Sequence, residues 1–146
     1  MKWRLVDRVT HVEAWREIAG RKAVSLEEYC LAEPLGRLGV LPETLVLECC
    51  VQLAAWLVAA SSSFQRTARL ASVEGFRLHG EVGMGAVLEL SAVVRERAAD
   101  SLLIACQAAV AGQPVADGAI GCSLVPLGPQ AAASSRALWR ELHGQA

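Results

Sequence analysis

Glu48 and Gln52 are the residues with most to say about chemistry, because they alone interrupt the apolar run over residues 45–60. A spacing of i, i+4 on a helix puts both side chains on one face, one turn apart. A carboxylate in such a run needs a compensating partner. It is either a structural acid held by Gln52 and backbone amides, or a general acid or base whose surroundings set its proton affinity. The neighbouring Cys49 and Cys50 point about 100° away from one another around a helix, and no histidine lies near them in sequence to activate a thiol. Cys30, Cys106 and Cys122 are scattered through apolar stretches, and the five cysteines form no C-x-x-C pair. They read as reduced, buried thiols. His11, His79 and His143 lie far from every cysteine, so no metal is expected. Gly80, Gly83 and Gly85 fit no phosphate-binding fingerprint, and no cofactor is expected either.

The elements that must position Glu48 follow from the surrounding pattern. Pro42 suits a helix start, Glu43 places an acid in the first turn, and Ser61-Ser62-Ser63 gives a polar end, which predicts a helix of about eighteen residues. Apolar nearly all round, this helix has to be wrapped by other elements rather than lie on a surface. Runs over residues 69–78, 86–97, 101–111 and 115–124 are apolar or alternating, and turn-like glycine, aspartate and proline breaks separate them. Connections this short join antiparallel strands. Residues 12–24 read as a further strand region, with Gly20-Arg21-Lys22 as the place for a bend. The segment 131–142 reads as a helix carrying Leu138, Trp139 and Leu142 on one side. The expected architecture is α+β: one long helix in a curled antiparallel sheet, forming a single domain over residues 1–130 with a helical tail over 131–146.

Composition narrows the function classes. The chain has 146 residues, 53% of them hydrophobic, and a net charge of -1 from 14 Lys and Arg against 15 Asp and Glu. Such a balance lacks the clustered cations that a nucleic-acid backbone or an anionic membrane surface requires. Charges within Met1-Lys2-Trp3-Arg4-Leu5-Val6-Asp7-Arg8 occupy the place where a signal peptide needs an unbroken apolar stretch. A cytoplasmic location is expected.

The run Leu41-Pro42-Glu43-Thr44-Leu45-Val46-Leu47-Glu48-Cys49-Cys50-Val51-Gln52 resembles the central helix of the hotdog-fold beta-hydroxyacyl-[acyl carrier protein] dehydratases. In that family a proline opens the helix, the catalytic carboxylate follows six residues later, and a glutamine four after that. Pro42, Glu48 and Gln52 match all three positions. Leu5-Val6-Asp7-Arg8-Val9 is similar to the family's N-terminal run, and the segment around Phe76-Arg77 to its Ala-Arg-Phe-Arg strand. The resemblance implies a hotdog fold, edge-to-edge dimers with acyl tunnels between protomers, and thioesters of acyl carrier protein or CoA as partners. It further implies Glu48 as acid or base with Gln52 orienting it. Amides near Pro42, Glu43 and Thr44 would polarise the carbonyl, and Trp56, Phe76 and Arg77 would line or guard the acyl path.

One part of the family pattern is missing. The family histidine, which takes the C2 proton while the helix acid helps the C3 hydroxyl leave, falls at Pro34 in Ala32-Glu33-Pro34-Leu35-Gly36-Arg37. Glu33 and His79 are the candidate substitute bases. Three functions are therefore expected in order: dehydration of a 3-hydroxyacyl thioester in fatty acid or polyketide-type metabolism; thioester hydrolysis, which some hotdog enzymes perform with one acid on this helix; and an acyl-binding or heterodimeric role beside a histidine-bearing homologue.

Overall fold

A computed structural model of the chain describes residues 4–25 and 39–144. Strand β1 (Arg8–Glu13) turns into β2 (Glu17–Ala23), and the long helix α1 (Glu43–Ser61) follows. Strands β3 (Arg66–Leu78), β4 (Val87–Arg97), β5 (Ser101–Val110) and β6 (Gln113–Pro126) come next, and helix α2 (Pro129–His143) closes the described chain. The six strands form one antiparallel sheet in the order β1-β2-β4-β5-β6-β3. The expected meander is there in β4, β5 and β6. Because β3 pairs with β6 and not with β4, the hairpins leave β3 and β1 as the two sheet edges.

The core lies between the sheet and α1. Alternate residues of the central strands, Leu88, Leu90 and Ala92 on β4 and Leu102, Ile104 and Cys106 on β5, turn inward, as the two-residue period requires. From the helix, Val46, Cys49, Leu53, Leu57 and Val58 meet them. Although α1 is long and apolar enough to cross a membrane, one face is fully covered by the sheet, as in a core helix. The opposite face, with Leu45, Glu48, Gln52, Ala55 and Trp56, is only half-buried. The all-round burial expected from composition is thus restricted to the sheet side. A Leu53→Ala chain, which opens a cavity at a fully buried position, is expected to lose about 2–5 kcal/mol in chemical denaturation.

The first hairpin bends at residues 14–16 and not at Gly20-Arg21-Lys22. Trp15 takes φ 59°, a conformation costly for a bulky residue, and two contacts of its own together with the hydrogen bond that closes the turn hold it there. Its N–H donates to Ser61 Oγ at 2.8 Å, the Arg97 guanidinium lies 3.9 Å from its ring centroid, and the Arg16 N–H donates to the Glu13 carbonyl at 3.0 Å. Gly20 instead sits within β2, where an added Cβ would come 2.7 Å from the Arg8 carbonyl oxygen. Its role is close approach of β1 and the core, not turning.

Candidate functional site

Glu48 is positioned by a short relay that begins at the N-terminal segment. The Leu5 N–H donates to Gln52 Oε1 at 2.8 Å, which fixes the amide so that Gln52 Nε2 donates to Glu48 Oε1 at 3.3 Å. The N-terminal chain therefore orients the glutamine, and the glutamine holds one carboxylate oxygen. The carboxylate borders a cavity of about 1200 Å³ between α1 and α2. Leu45, Ala55 and Trp56 continue the α1 wall, and Gly128, Ser135 and Leu138 stand on the α2 side. With one oxygen held and water able to enter, Glu48 can take a proton from water or give one to a leaving group. Among the described residues lining the cavity, Glu48 is the only carboxylate and there is no histidine.

Helix α2 reaches this position through aromatic anchors. The Trp139 ring lies 5.8 Å from that of Trp56 and 6.3 Å from that of Phe64, and it stacks on His143 at 4.8 Å. Leu142 is fully buried, Arg136 Nη2 donates to the Ser63 carbonyl at 3.1 Å, and Arg4 pairs with Glu141 at 3.4 Å. The face of α2 that borders the cavity is a part of the site that the sequence reading lacks. Its spacing of small residues, Ala131, Ser134 and Ser135 ahead of Leu138, was the available signal.

The remaining sequence candidates fall elsewhere. Pro42 precedes the first turn of α1, and its carbonyl accepts from the Leu45 and Val46 N–H groups at 2.9 and 3.2 Å. Glu43 and Thr44 stand exposed at that helix start, outside the Glu48 cavity. Phe76 is half-buried against the core, and Arg77 is exposed opposite Asp117 in the β3–β6 register. His79 Nε2 lies 2.8 Å from Asp117 Oδ2. Asp117 pairs across the sheet with Gln107, whose neighbours Cys106 and Ala108 turn inward, so this His–Asp pair sits on the outer face, away from α1. The same chain does not bring His79 to Glu48. Glu33 lies outside the described residues.

Two other clusters hold groups of chemical interest. His11, Glu13 and Glu17 offer ligand atoms within 4.8 Å of one another on the exposed first hairpin. These groups already serve one another and a neighbour, His11 with Glu17 at 2.9 Å and Arg16 with Glu13 at 2.6 Å. Cys49, Cys50, Cys106 and Cys122 are buried thiols. A hydrogen bond with Cys106 and then burial hold Cys50 well above the usual thiol range, and burial pushes Cys122 up to about 11. In a Cys30→Ser background the folded chain is therefore expected to show no reaction with a thiol-disulfide reagent at pH 8, and four thiols after unfolding. The Cys122 shift also has a thermodynamic sign. Between the ordinary value of 9.0 and about 11 the unfolded chain loses this proton while the folded one keeps it, so stability falls as pH rises through that window.

Solved structures identify the fold. A hot-dog-like protein from Thermanaerovibrio acidaminovorans superposes with a TM-score of 0.67 at 14% identity, covering 88% of this chain and 92% of its own. The smu.793 protein of Streptococcus mutans UA159, bound to acetyl CoA, matches at TM-score 0.65 and 12% identity, over 82% of this chain and 88% of its own. A hypothetical thioesterase from Streptococcus pneumoniae TIGR4 with coenzyme A matches at 0.65 and 9%, over 82% and 85%. No protein-family model and no curated protein matches the sequence itself. A long helix on a six-stranded antiparallel sheet, superposing on these proteins over more than four-fifths of its length, has the hotdog fold.

Proposed function

We propose that this chain is a hotdog thioesterase acting on acyl-CoA thioesters, with Glu48 as the general base. The observation that carries the reading is the Gln52-held carboxylate facing a roomy, largely apolar cavity that contains no second acid or histidine among the described residues. In the reaction Glu48 takes a proton from water as the water oxygen bonds to the thioester carbon. The carbon–sulfur bond then breaks, the thiolate leaves, and the proton passes to sulfur. One carboxylate suffices for this sequence, whereas dehydration of a 3-hydroxyacyl thioester needs a base at C2 as well as an acid at C3. The acetyl CoA and the coenzyme A bound in two structural neighbours support CoA over acyl carrier protein as the thiol. The test is purified full-length chain with acyl-CoA, following released thiol and, in parallel, enoyl absorbance with a 3-hydroxyacyl-CoA. Thiol release lost in Glu48→Ala supports hydrolysis; enoyl formation without thiol release overturns it in favour of dehydration.

The working unit we propose is a homodimer joined through β3. This edge strand presents thirteen residues, with Leu70 38% and Val73 44% exposed, and a long bare edge is a template for pairing. Leu70 opposes Cys122 and Val73 opposes Ile120, so both lie on the inner face. Arg69 opposes Ser123 and Glu74 opposes Ala119, on the outer face. An antiparallel pairing of two copies that sets Arg69 against Glu74 also sets Leu70 against Val73. Faces and charges then agree at once, a self-complementary register. The reduced, buried thiols fit a cytoplasmic setting.

A further inference from the structure

The N-terminal part of helix α2 does little for the core. Between residues 128 and 138 only Ala132 is buried, and the anchoring side chains Trp139 and Leu142 lie beyond the stretch that borders the cavity. Where this stretch borders the cavity it carries small side chains, Ala131, Ser134 and Ser135, which leave volume open beside α1. The α1 wall of the cavity changes character along its length. On the α1 wall the hydrogen-bonding pair Glu48 and Gln52 comes first and apolar Ala55 and Trp56 follow, while α2 contributes Ser134, Ser135 and then Leu138, next to the Trp139 that meets Trp56. From Glu48 to Trp56 is eight residues, about 12 Å of helix at about 1.5 Å per residue, which is the reach of an extended chain of about eight to ten carbons.

We infer that α2 is the specificity element of this site: a medium-length, unbranched acyl tail lies between α1 and α2, its thioester carbon at Glu48 and its methyl end against Trp56 and Leu138. The inference rests on the thioester reading and deepens it. The acyl wall is then built within one chain. Burying each further methylene raises affinity about threefold to fourfold until the tail meets Trp56, after which added carbons gain nothing.

The test uses the full chain and S-alkyl-CoA thioethers of four to sixteen carbons, which bind without turning over, titrated by calorimetry beside hydrolysis of the matching acyl-CoA thioesters. Affinity is expected to climb with length and level off near ten carbons. Ser135→Phe, which fills the half-buried groove position one turn before Leu138, moves the levelling point to shorter tails. Leu138→Ala moves it to longer ones. Circular dichroism checks that each variant folds, and where one does not fold the other alone carries the test. Affinity independent of length, or a levelling point unmoved in a folded variant, overturns the role of α2. A levelling point that moves while no thiol is released upholds α2 as the acyl gauge and removes the hydrolytic reading; Glu48-dependent hydrolysis indifferent to both variants does the reverse.

Discussion

A Glu48→Gln chain is expected to keep its fold and lose about 10²–10⁴-fold in kcat/KM for acyl-CoA hydrolysis, the usual contribution of one general base. That loss corresponds to about 3–5 kcal/mol of barrier. The substitution is nearly isosteric, and the new amide oxygen still accepts from Gln52 Nε2, now 3.3 Å from Glu48 Oε1. What changes is the ability to accept a proton. Because Glu48 is half-buried and borders an open cavity, stability should move by no more than about 0.5 kcal/mol, as for substitutions away from the core. Kinetics and thermal unfolding on the same preparations separate the two roles a carboxylate can have here. Unchanged turnover with a lowered Tm would mean a structural acid and would end the catalytic reading. Gln52→Leu behaves differently, because it strips the acceptor from the Leu5 N–H as well as the donor from Glu48. It should cost about 1–3 kcal/mol of stability together with part of the activity.

The second large effect is on assembly. In the register proposed for β3, a two-fold interface contains the Arg69–Glu74 pair twice, and Glu74→Arg converts both into like-charge contacts. Cross-strand pairs contribute about 0.2–1 kcal/mol each, so losing two attractions and gaining two repulsions weakens the dimer by about 2 kcal/mol, or about thirty-fold in its dissociation constant. The double variant Arg69→Glu with Glu74→Arg restores the complement in reverse and should return the dimer. Sedimentation velocity across a concentration series reads both changes, and raising the salt should shrink the difference between single and double variants. A single reversal that leaves the association unchanged would exclude this register. Exposed Leu70 and Val73, which the pairing covers, give the interface its apolar part.

The local features of this fold were legible because backbone geometry alone produces them. Pro42, the first-turn Glu43 and the serine run bounded a helix that the structure places at Glu43–Ser61, within about a residue of the expected length. Glu48 and Gln52 share a face because 3.6 residues make a turn, whatever surrounds the helix. The alternation in β4, β5 and β6 and their short connections specified the antiparallel meander in the same way. The resemblance of the central helix to the dehydratases pointed to the right fold. Its finer implication, dehydration, gains no support from the neighbours that bind coenzyme A.

What escaped the sequence depended on partners far along the chain. The first hairpin bends at Trp15 because Ser61 and Arg97 hold that residue, contacts 46 and 82 residues away that no local turn rule contains. Strand β3 begins at Arg66 because β6 continues to Pro126 and pairs with it. His79 stands on the outer face because the register with β6 presents Asp117 there. The sequence by itself determined the long core helix, its paired Glu48 and Gln52, and the antiparallel strands, since each follows from periodicity over a few residues. Only the tertiary structure decided that the Leu5 backbone orients Gln52 and that α2 stands across a cavity from Glu48, because both depend on contacts between segments that are distant in the chain and share no local pattern.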